Sequence, residues 1–431
     1  MTAHTRPSAP AEATDIAEIA RRQKPAHSLQ QALYNSPAAF EHDLERIFRR
    51  HWILVGHASM APQAGDYFLH EMAEESIIII RGRDGALRAF ANVCRHRGSR
   101  ICTSAQGHAS VLVCPYHAWA YNLDGSLRSA RHMPTDFDKQ SYGLKAVAIE
   151  VIEGLVFISL AKAPLSLELA RKAITDAYAP YGWGSAKVAH RETYTVTANW
   201  KLTVENYLEC YHCAPSHPEY SKLHALEQPL DRIGELNAAM EARTCALGVT
   251  VPAADHRVGS STGQASIFTF RYALYDGVKT GGPGGKPVAP LMGDFKDYDG
   301  GVTSAHFAPS SFFIAYPDHG VIYRFIPVAA SASAMEVIWL VKGDAKEGVD
   351  YDLDKLTWLW RVTTEADKKI TEDNQKGVNS SFYEPGPYSP VEPNAIRWIE
   401  WYLGEVTVTS AQSPAPTSPV SRVRPPAPPA T

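Results

Sequence analysis

Between residues 51 and about 160 the apolar positions fall in short runs rich in β-branched residues, at 76–81, 87–93, 111–113 and 155–160, separated by Gly and Asp-Gly turns. Runs of this length bounded by turn residues predict strands, so this stretch is expected to be all-β. Ahead of it, residues 37–52 have helical spacing. After Pro164 the pattern becomes mixed, with a helix at 165–178, a Thr/Tyr/Val strand at 193–198 and a helix from Trp200. Strands over 312–327 and 334–341 and a long helix over 353–375 follow. Residues 1–30 show no periodic apolar pattern and predict a loose leader, and 406–431, mostly Pro, Ser, Ala and Thr, a disordered tail. Residues 255–296 are rich in Gly and Ser, weakest at Gly281-Gly-Pro-Gly-Gly285, and are expected to be a structureless lid or loop. The units are therefore 31–163, an all-β domain with an N-terminal helix, and 164–405, a mixed domain, with no internal repeat.

The 431 residues, 45% of them hydrophobic, suffice for two cores. A formal charge of −4 without a basic stripe argues against nucleic acid. The strongest apolar run, 77–80, is far too short to span a membrane, and the N-terminus lacks a signal-peptide core, so no membrane partner and a cytoplasmic location are expected. Six cysteines stand at 94, 102, 114, 210, 213 and 245 without a disulfide-framework spacing, which fits a reducing compartment.

Two pairs of residues change the picture. Cys94-Arg-His96 and, seventeen residues later, Cys114-Pro-Tyr-His117 supply two thiolates and two imidazoles. A Rieske [2Fe–2S] cluster takes this set, one iron held by the cysteines and the other by the histidines. A structural zinc site uses the same residue types, but usually as Cys-x2-4-Cys followed by His-x3-5-His, whereas here each short pair mixes sulfur with nitrogen. Electron transfer is the function this spacing implies, with a zinc scaffold as the rival.

A second constellation lies at 199–218. On a helix Glu205, Glu209 and His212 fall at i, i+4 and i+7, one face. Pro215 is expected to end that helix at Ala214 and let His217 fold back toward His212. Two histidines and one carboxylate make the facial triad of a mononuclear non-haem iron site. The carboxylate is sought in the C-terminal helix, where Asp367 and Asp373 compete. The apolar stripe Leu353, Leu356, Leu359, Trp360 and Ile370 is centred on the side of Asp367, and a carboxylate in an apolar stripe needs a partner. Asp367 is therefore preferred, against an exposed acid paired with Lys368 or Lys369.

The stretches 92–100, 114–117 and 209–213 with 216–219 resemble the α subunits of Rieske non-haem iron oxygenases over roughly residues 30–403. Glu347-Gly-Val-Asp-Tyr-Asp352, and Asn374–Ser380 through Pro385–Ser389, are similar to the branch that demethylates betaines, the glycine betaine and stachydrine monooxygenases. The resemblance implies an α+β fold: an N-terminal all-β Rieske [2Fe–2S] domain and a C-terminal antiparallel-sheet helix-grip catalytic domain with mononuclear iron. It implies that Cys94, His96, Cys114 and His117 bind the cluster and that His212, His217 and Asp367 bind iron. Glu209 would be the bridging carboxylate, in place of the Asp of many ring-hydroxylating members. His117 of one subunit would then reach Glu209 of the next, and such a heterologous contact closes into a ring, here a homotrimer.

The activity implied is O2-dependent N-demethylation of a betaine with release of formaldehyde; hydroxylation of an aromatic acid by the same metals is the alternative. A quaternary ammonium is recognised through aromatic faces, for which Tyr207, Tyr211, Phe312, Phe313 and Tyr316 are candidates, although aromatics in a strand such as 311–316 also serve as ordinary core. The chain has no Gly-x-Gly-x-x-Gly fingerprint, so electrons are expected from a separate NAD(P)H-dependent flavin and iron–sulfur reductase.

Overall fold

The apolar runs become two large antiparallel sheets in the computed structural model, which describes residues 15–226, 228–252 and 263–407 and the backbone of 256–258. The first sheet has the order Trp52–His57, Leu155–Ser159, Ala146–Ile152, Leu87–Ala91, Glu75–Arg81, Asp66–Met72, Gln106–His108. Ile77, Ile78, Ile79 and Ile80 in its centre are all at most 2% exposed. Both faces of that strand are covered, so its sequence runs apolar without alternation. Ile77 and Ile79 join the main core, while Ile78 and Ile80 pack with Cys94, Cys114, Trp119 and Tyr121. A small sheet of Leu112–Val113, Ala120–Tyr121 and Leu127–Ser129 carries the loop of the second Cys/His pair.

The second sheet has the order Lys187–Val196, Ala332–Val341, Gly320–Ala329, Ser311–Ala315, Gly301–Phe307, Ile267–Ala273, His256–Val258. Alternation along its strands builds two cores. Phe312, Ile314, Tyr323 and Trp339 face one side, Phe313, Ala315, Ile322 and Leu340 the other. The helix Trp200–Tyr207 lies on Gly320–Ala329 and Ala332–Val341, and the helix Leu353–Val378 packs on Lys187–Val196. Asn199 and Asp352 start these two helices by accepting hydrogen bonds from the backbone of Lys201 and Lys355.

Several expectations are corrected. Residues 312–327 are two strands, Ser311–Ala315 and Gly320–Ala329, joined by a turn. The supposed leader contains the helix Ile16–Arg21, with Ile16 and Ala20 buried. The helices Gln31–Asn35 and Pro37–Asp43, expected with the all-β domain, make their side-chain hydrogen bonds to the mixed domain. Gln31 donates to the carbonyls of Val378 and Ser380, Tyr34 bonds Glu205, and His42 meets the carbonyl of Val406. The Gly-rich stretch is not structureless: Ile267–Ala273 is a strand within it, and Gly281 approaches the Tyr316 ring so closely that a Cβ there would lie 2.8 Å from it. Cys210 and Cys213 form a disulfide, although the cysteine spacing shows no disulfide framework and suggests a reducing compartment; the Cys-x-x-Cys turn brings their Cα atoms to 4.9 Å. The tail from 408 onward lies outside the described residues.

Buried polar contacts fix the domains to one another. Arg324 donates to the carbonyl of Leu54 at 2.9 Å, meets His70 Nδ1 at 2.8 Å and pairs with Glu336. His57 accepts from Ser59 N–H at Nδ1 and donates from Nε2 to the carbonyl of Trp183, 3.1 Å away. Both ring nitrogens are thus satisfied only in the neutral form, and burial pushes its pKa down to about 4.

Two outcomes follow. Asp43 and Lys201 are wholly buried and paired, and Asp43 also accepts from Trp200 Nε1 and Tyr402 OH. Asp43→Ala leaves the ammonium unpaired and should cost about 3–5 kcal/mol in chemical denaturation. For His57, the unfolded ring takes up a proton near pH 6.5 that the folded ring refuses until about pH 4. Its contribution is complete above pH 6.5 and lost as pH falls toward 4, by roughly 3 kcal/mol. The melting temperature of His57→Gln should fall less steeply than that of the native chain across this window.

Candidate metal centres and substrate pocket

Two loops of matching geometry present the first Cys/His set. In each, the backbone N–H four residues after the cysteine returns to the cysteine carbonyl, Gly98 to Cys94 at 3.0 Å and Ala118 to Cys114 at 3.1 Å. Both of those residues sit at positive φ, +82° and +58°, where glycine is at ease and alanine is strained. Cys94 and Cys114 are buried at 3% and 2% exposure, whereas His96 and His117 reach the surface. The imidazoles lie 4.7 Å apart, and His96 stacks on Trp119 at 4.9 Å. Tyr121 OH, 3.3 Å from Cys94 Sγ, adds a polar contact at the sulfur. Sulfurs inside and imidazoles outside form a set that would hold a binuclear cluster, the cysteines on one iron and the histidines on the other. Val93, Tyr116 and Val113 are exposed around them.

The second constellation forms differently from the expected single helix. The helix ends at Tyr207, and Glu209 and His212 stand in the turn that follows. His212 caps a short helix, Cys213–Ser216, in which Pro215 is accommodated in the first turn, where its missing N–H is not needed. His217 then leads into Pro218–Ser221. Glu205, expected on the face of Glu209, points away to Tyr34 and Tyr388, whose hydroxyls donate to it at 2.8 and 2.7 Å. Burial, offset in part by those hydroxyls and Lys201, pushes Glu205 up to about 7.

It is Asp367, and not Asp373, that the fold brings to the histidines. Asp367 Oδ1 lies 3.2 Å from His212 Nε2 and 3.1 Å from His217 Nε2, at 3% exposure. Asp373 is exposed and paired with Lys369 and Lys376. Burial opposes charge on Asp367, but the two imidazoles hold its carboxyl below the usual range. Burial likewise opposes charge on His212, and the carboxylates of Asp367 and Glu209 outweigh it and raise the ring to about 9. The proton so favoured stands where a divalent cation would satisfy all three groups. Cys213 Sγ is also within 4.8 Å of both histidines, but it is bonded to Cys210. Glu209 Oε1 lies 2.6 Å from His212 Nδ1, the ring atom turned away from Asp367.

A cavity of about 240 Å³ opens beside these groups, walled by Tyr207, Tyr220, Phe270, Tyr272, Phe312 and Trp360. Among the described residues its charged lining groups are Glu209, Asp367 and the two histidines, and no Lys or Arg contributes. Of the five aromatic candidates, Tyr207 and Phe312 line this cavity. Tyr211 is 67% exposed and outside the cavity. Phe313 faces the opposite core, against Phe157, Phe307 and Trp183, because neighbours on a strand point to opposite faces. Tyr316 is buried behind the wall, bonded to His224 Nε2 at 2.8 Å. Of the wall residues missed, Trp360 carries a readable signal, since Trp360, Thr363 and Asp367 fall at i, i+3 and i+7 of one helix. Phe270 and Tyr272 alternate along a strand beside the Gly-rich stretch.

The Rieske [2Fe-2S] domain family matches residues 51–148, and the ring hydroxylating alpha subunit (catalytic domain) family residues 184–406. The chain is 36% identical over 399 residues to the glycine betaine monooxygenase oxygenase subunit of Chromohalobacter salexigens, covering 90% of this chain and 87% of that protein. It is 42% identical over 195 residues to the carnitine monooxygenase oxygenase subunit of Escherichia coli (strain K12), covering 44% of this chain and 51% of that one. Its fold is similar to that of the quaternary ammonium Rieske monooxygenase CntA in complex with L-carnitine, with a TM-score of 0.67 at 24% identity over 91% of this chain and 99% of the other. Naphthalene 1,2-dioxygenase from Rhodococcus sp. shares the fold at a TM-score of 0.67 and 18% identity, over 93% and 99% of the two chains. The chain belongs to the Rieske-type ring-hydroxylating α subunits, as a non-haem iron monooxygenase of the oxidoreductase class with a [2Fe–2S] cluster and a mononuclear iron.

Proposed function

We propose that this chain is the terminal oxygenase of a system that N-demethylates a betaine. The observation that carries the reading is the aromatic wall beside His212, His217 and Asp367, to which no Lys or Arg contributes among the described residues. A quaternary ammonium cannot donate a hydrogen bond or lose its charge, and aromatic faces attract it. An aromatic acid brings no cationic head for the rings, Glu209 and Asp367 to attract, so the wall favours the first reading over the second. The relatives with betaine and carnitine in their names support a quaternary ammonium monooxygenase.

Cys94, Cys114, His96 and His117 would hold the cluster, and His212, His217 and Asp367 the iron. When bound, the two groups supply single electrons and O2 activation respectively. Glu209 accepts from His212 Nδ1–H, which leaves the Nε2 lone pair facing Asp367 and the metal position. The aromatic wall orients the N-methyl groups toward that position and excludes water. Hydroxylation of an N-methyl carbon gives a carbinolamine, which collapses to the dealkylated amine and formaldehyde. Among the described residues no hydrogen bond or ion pair joins the cluster loops to Glu209 or His212 within one chain. The surface position of His117, ringed by Val93, Val113 and Tyr116, suits contact with Glu209 of a neighbouring copy in a trimer. Alpha subunits of this family work with a separate reductase and as oligomers; here an NAD(P)H-dependent flavin and iron–sulfur reductase in the cytoplasm would serve.

Asp367→Ala should lose the mononuclear iron, with affinity reduced beyond the ~10–100-fold typical of an outer-shell change, while the visible cluster absorption persists. Asp373→Ala should retain both, and equal iron contents in the two variants would remove Asp367 from the ligand set. With reductase and NAD(P)H, the iron-loaded enzyme should release formaldehyde from members of a betaine panel. Oxygen uptake with aromatic acids and no formaldehyde from any betaine would decide for the alternative. Glu209→Ala should lower turnover by roughly 100-fold or more with an unchanged cluster spectrum; full turnover would refute the bridging role.

A further inference from the structure

Behind the metal-side cavity lies a second of about 210 Å³, and Leu208 and Asn394 line both. A ladder of stacked rings connects them. Phe268, Phe270 and Tyr272 are alternate residues of the strand Ile267–Ala273, with centroids 5.2 and 5.7 Å apart and planes inclined by 18° and 21°. The first ring lines the second cavity and the other two line the first. On the next strand His306 lines the second cavity and stacks at 4.7 Å on Phe312 of the first.

The remaining wall comes from one face of the helix Pro393–Thr407, where Asn394, Arg397, Trp398 and Trp401 fall at i, i+3, i+4 and i+7. Arg397 Nη1 donates to Asn394 Oδ1 at 3.1 Å, which holds the guanidinium beside the residue shared by the two cavities. Among the described residues no carboxylate comes within ion-pairing distance of Arg397, although the helix itself carries Glu400 and Glu405. His306, buried in the same wall, has no hydrogen-bond partner at Nε2. Arg397 is exposed where it lines this cavity, and Phe268, His306, Trp398 and Trp401 wall the rest with rings, so the groove offers a hydrated guanidinium at one side and apolar faces at the other, a fit for a guest with an anionic end.

We propose that the second cavity is the carboxylate subsite: the betaine's quaternary nitrogen lies against the aromatic wall beside the metal ligands, and its carboxylate reaches past Leu208 and Asn394 to Arg397. The inference rests on the betaine reading. It goes beyond it in naming the residue that distinguishes a zwitterion from a plain quaternary amine. Arg397 is a binding residue, not a catalytic one; a planar guanidinium takes a carboxylate in two parallel hydrogen bonds, and Asn394 presets its orientation.

The test compares the native enzyme with Arg397→Gln and Arg397→Lys, iron-loaded and supplied with reductase. The probes are glycine betaine, a longer trimethylammonio carboxylate, and choline, which bears the same cationic head without the carboxylate. For the carboxylates, Arg397→Gln should raise KM about 10- to 100-fold with kcat little changed, and Arg397→Lys should recover part of the loss. Choline, measured as substrate or competitive inhibitor, should bind the native and variant enzymes alike. Unchanged KM for the carboxylates, or equal losses for choline and the carboxylates, overturns the subsite while leaving the betaine reading standing. If the native enzyme releases formaldehyde from neither carboxylate, the betaine reading falls and the subsite with it.

Discussion

A carboxylate placed in the floor of an apolar cavity must be neutralised, and the catalytic half of this chain is organised around doing so for Asp367. Its oxygen faces two imidazole nitrogens at 3.1 and 3.2 Å, from residues 150 positions away in the case of His217. That meeting requires the long helix Leu353–Val378 and the turn after Trp200–Tyr207 to be held on one sheet face, and it requires the earlier helix to stop at Tyr207. A continuing helix would carry Glu209 toward the side of Glu205, whose partners Tyr34 and Tyr388 belong to a different network. The turn separates the two carboxylates into two environments, one hydrogen-bonded by tyrosines and one by a histidine.

What could be read from the sequence was local chemistry. The Cys/His pairs and His212 with His217 are legible because metal ligands come at short fixed spacings, and Asp367 because an acid inside an apolar stripe has few explanations. The failures have equally physical causes. Phe312 and Phe313 are adjacent in a strand and could not both line one cavity; the strand's phase depends on what covers each face, which a single run of apolar residues does not encode. Phe270 and Tyr272 sit next to a Gly/Ser-rich segment whose composition masks a strand. Gly281 signals close approach to Tyr316 and not mobility. The helices at 31–43 look like a preface to the all-β domain, and only the tertiary bonds of Tyr34, Asp43 and His42 reveal where they dock.

The electrostatic design separates stability from chemistry. Charged pairs that fasten the molecule, Asp43 with Lys201 and Arg324 with Glu336, are buried and carry further hydrogen bonds, so they hold position without leaving spare charge. Among the described residues, the cavity beside His212 and His217 carries acids but no Lys or Arg. A cationic guest meets two acids there, while the aromatic rings provide contact that does not depend on geometry as strictly as a hydrogen bond does.

The chain starts its described course on the catalytic half, leaves it at Trp52, and comes back at Ser159, and these two residues are paired across neighbouring strands. The cluster-bearing domain is thus an insertion with entrance and exit side by side. Cutting one connecting segment would not set it free, since the other would still tether it. Because the two tethers are laced together, they act as a single stiff stalk that resists swivelling. The orientation in which His96 and His117 are shown to the surroundings is accordingly inherited from the sheet and need not be selected anew with each turnover.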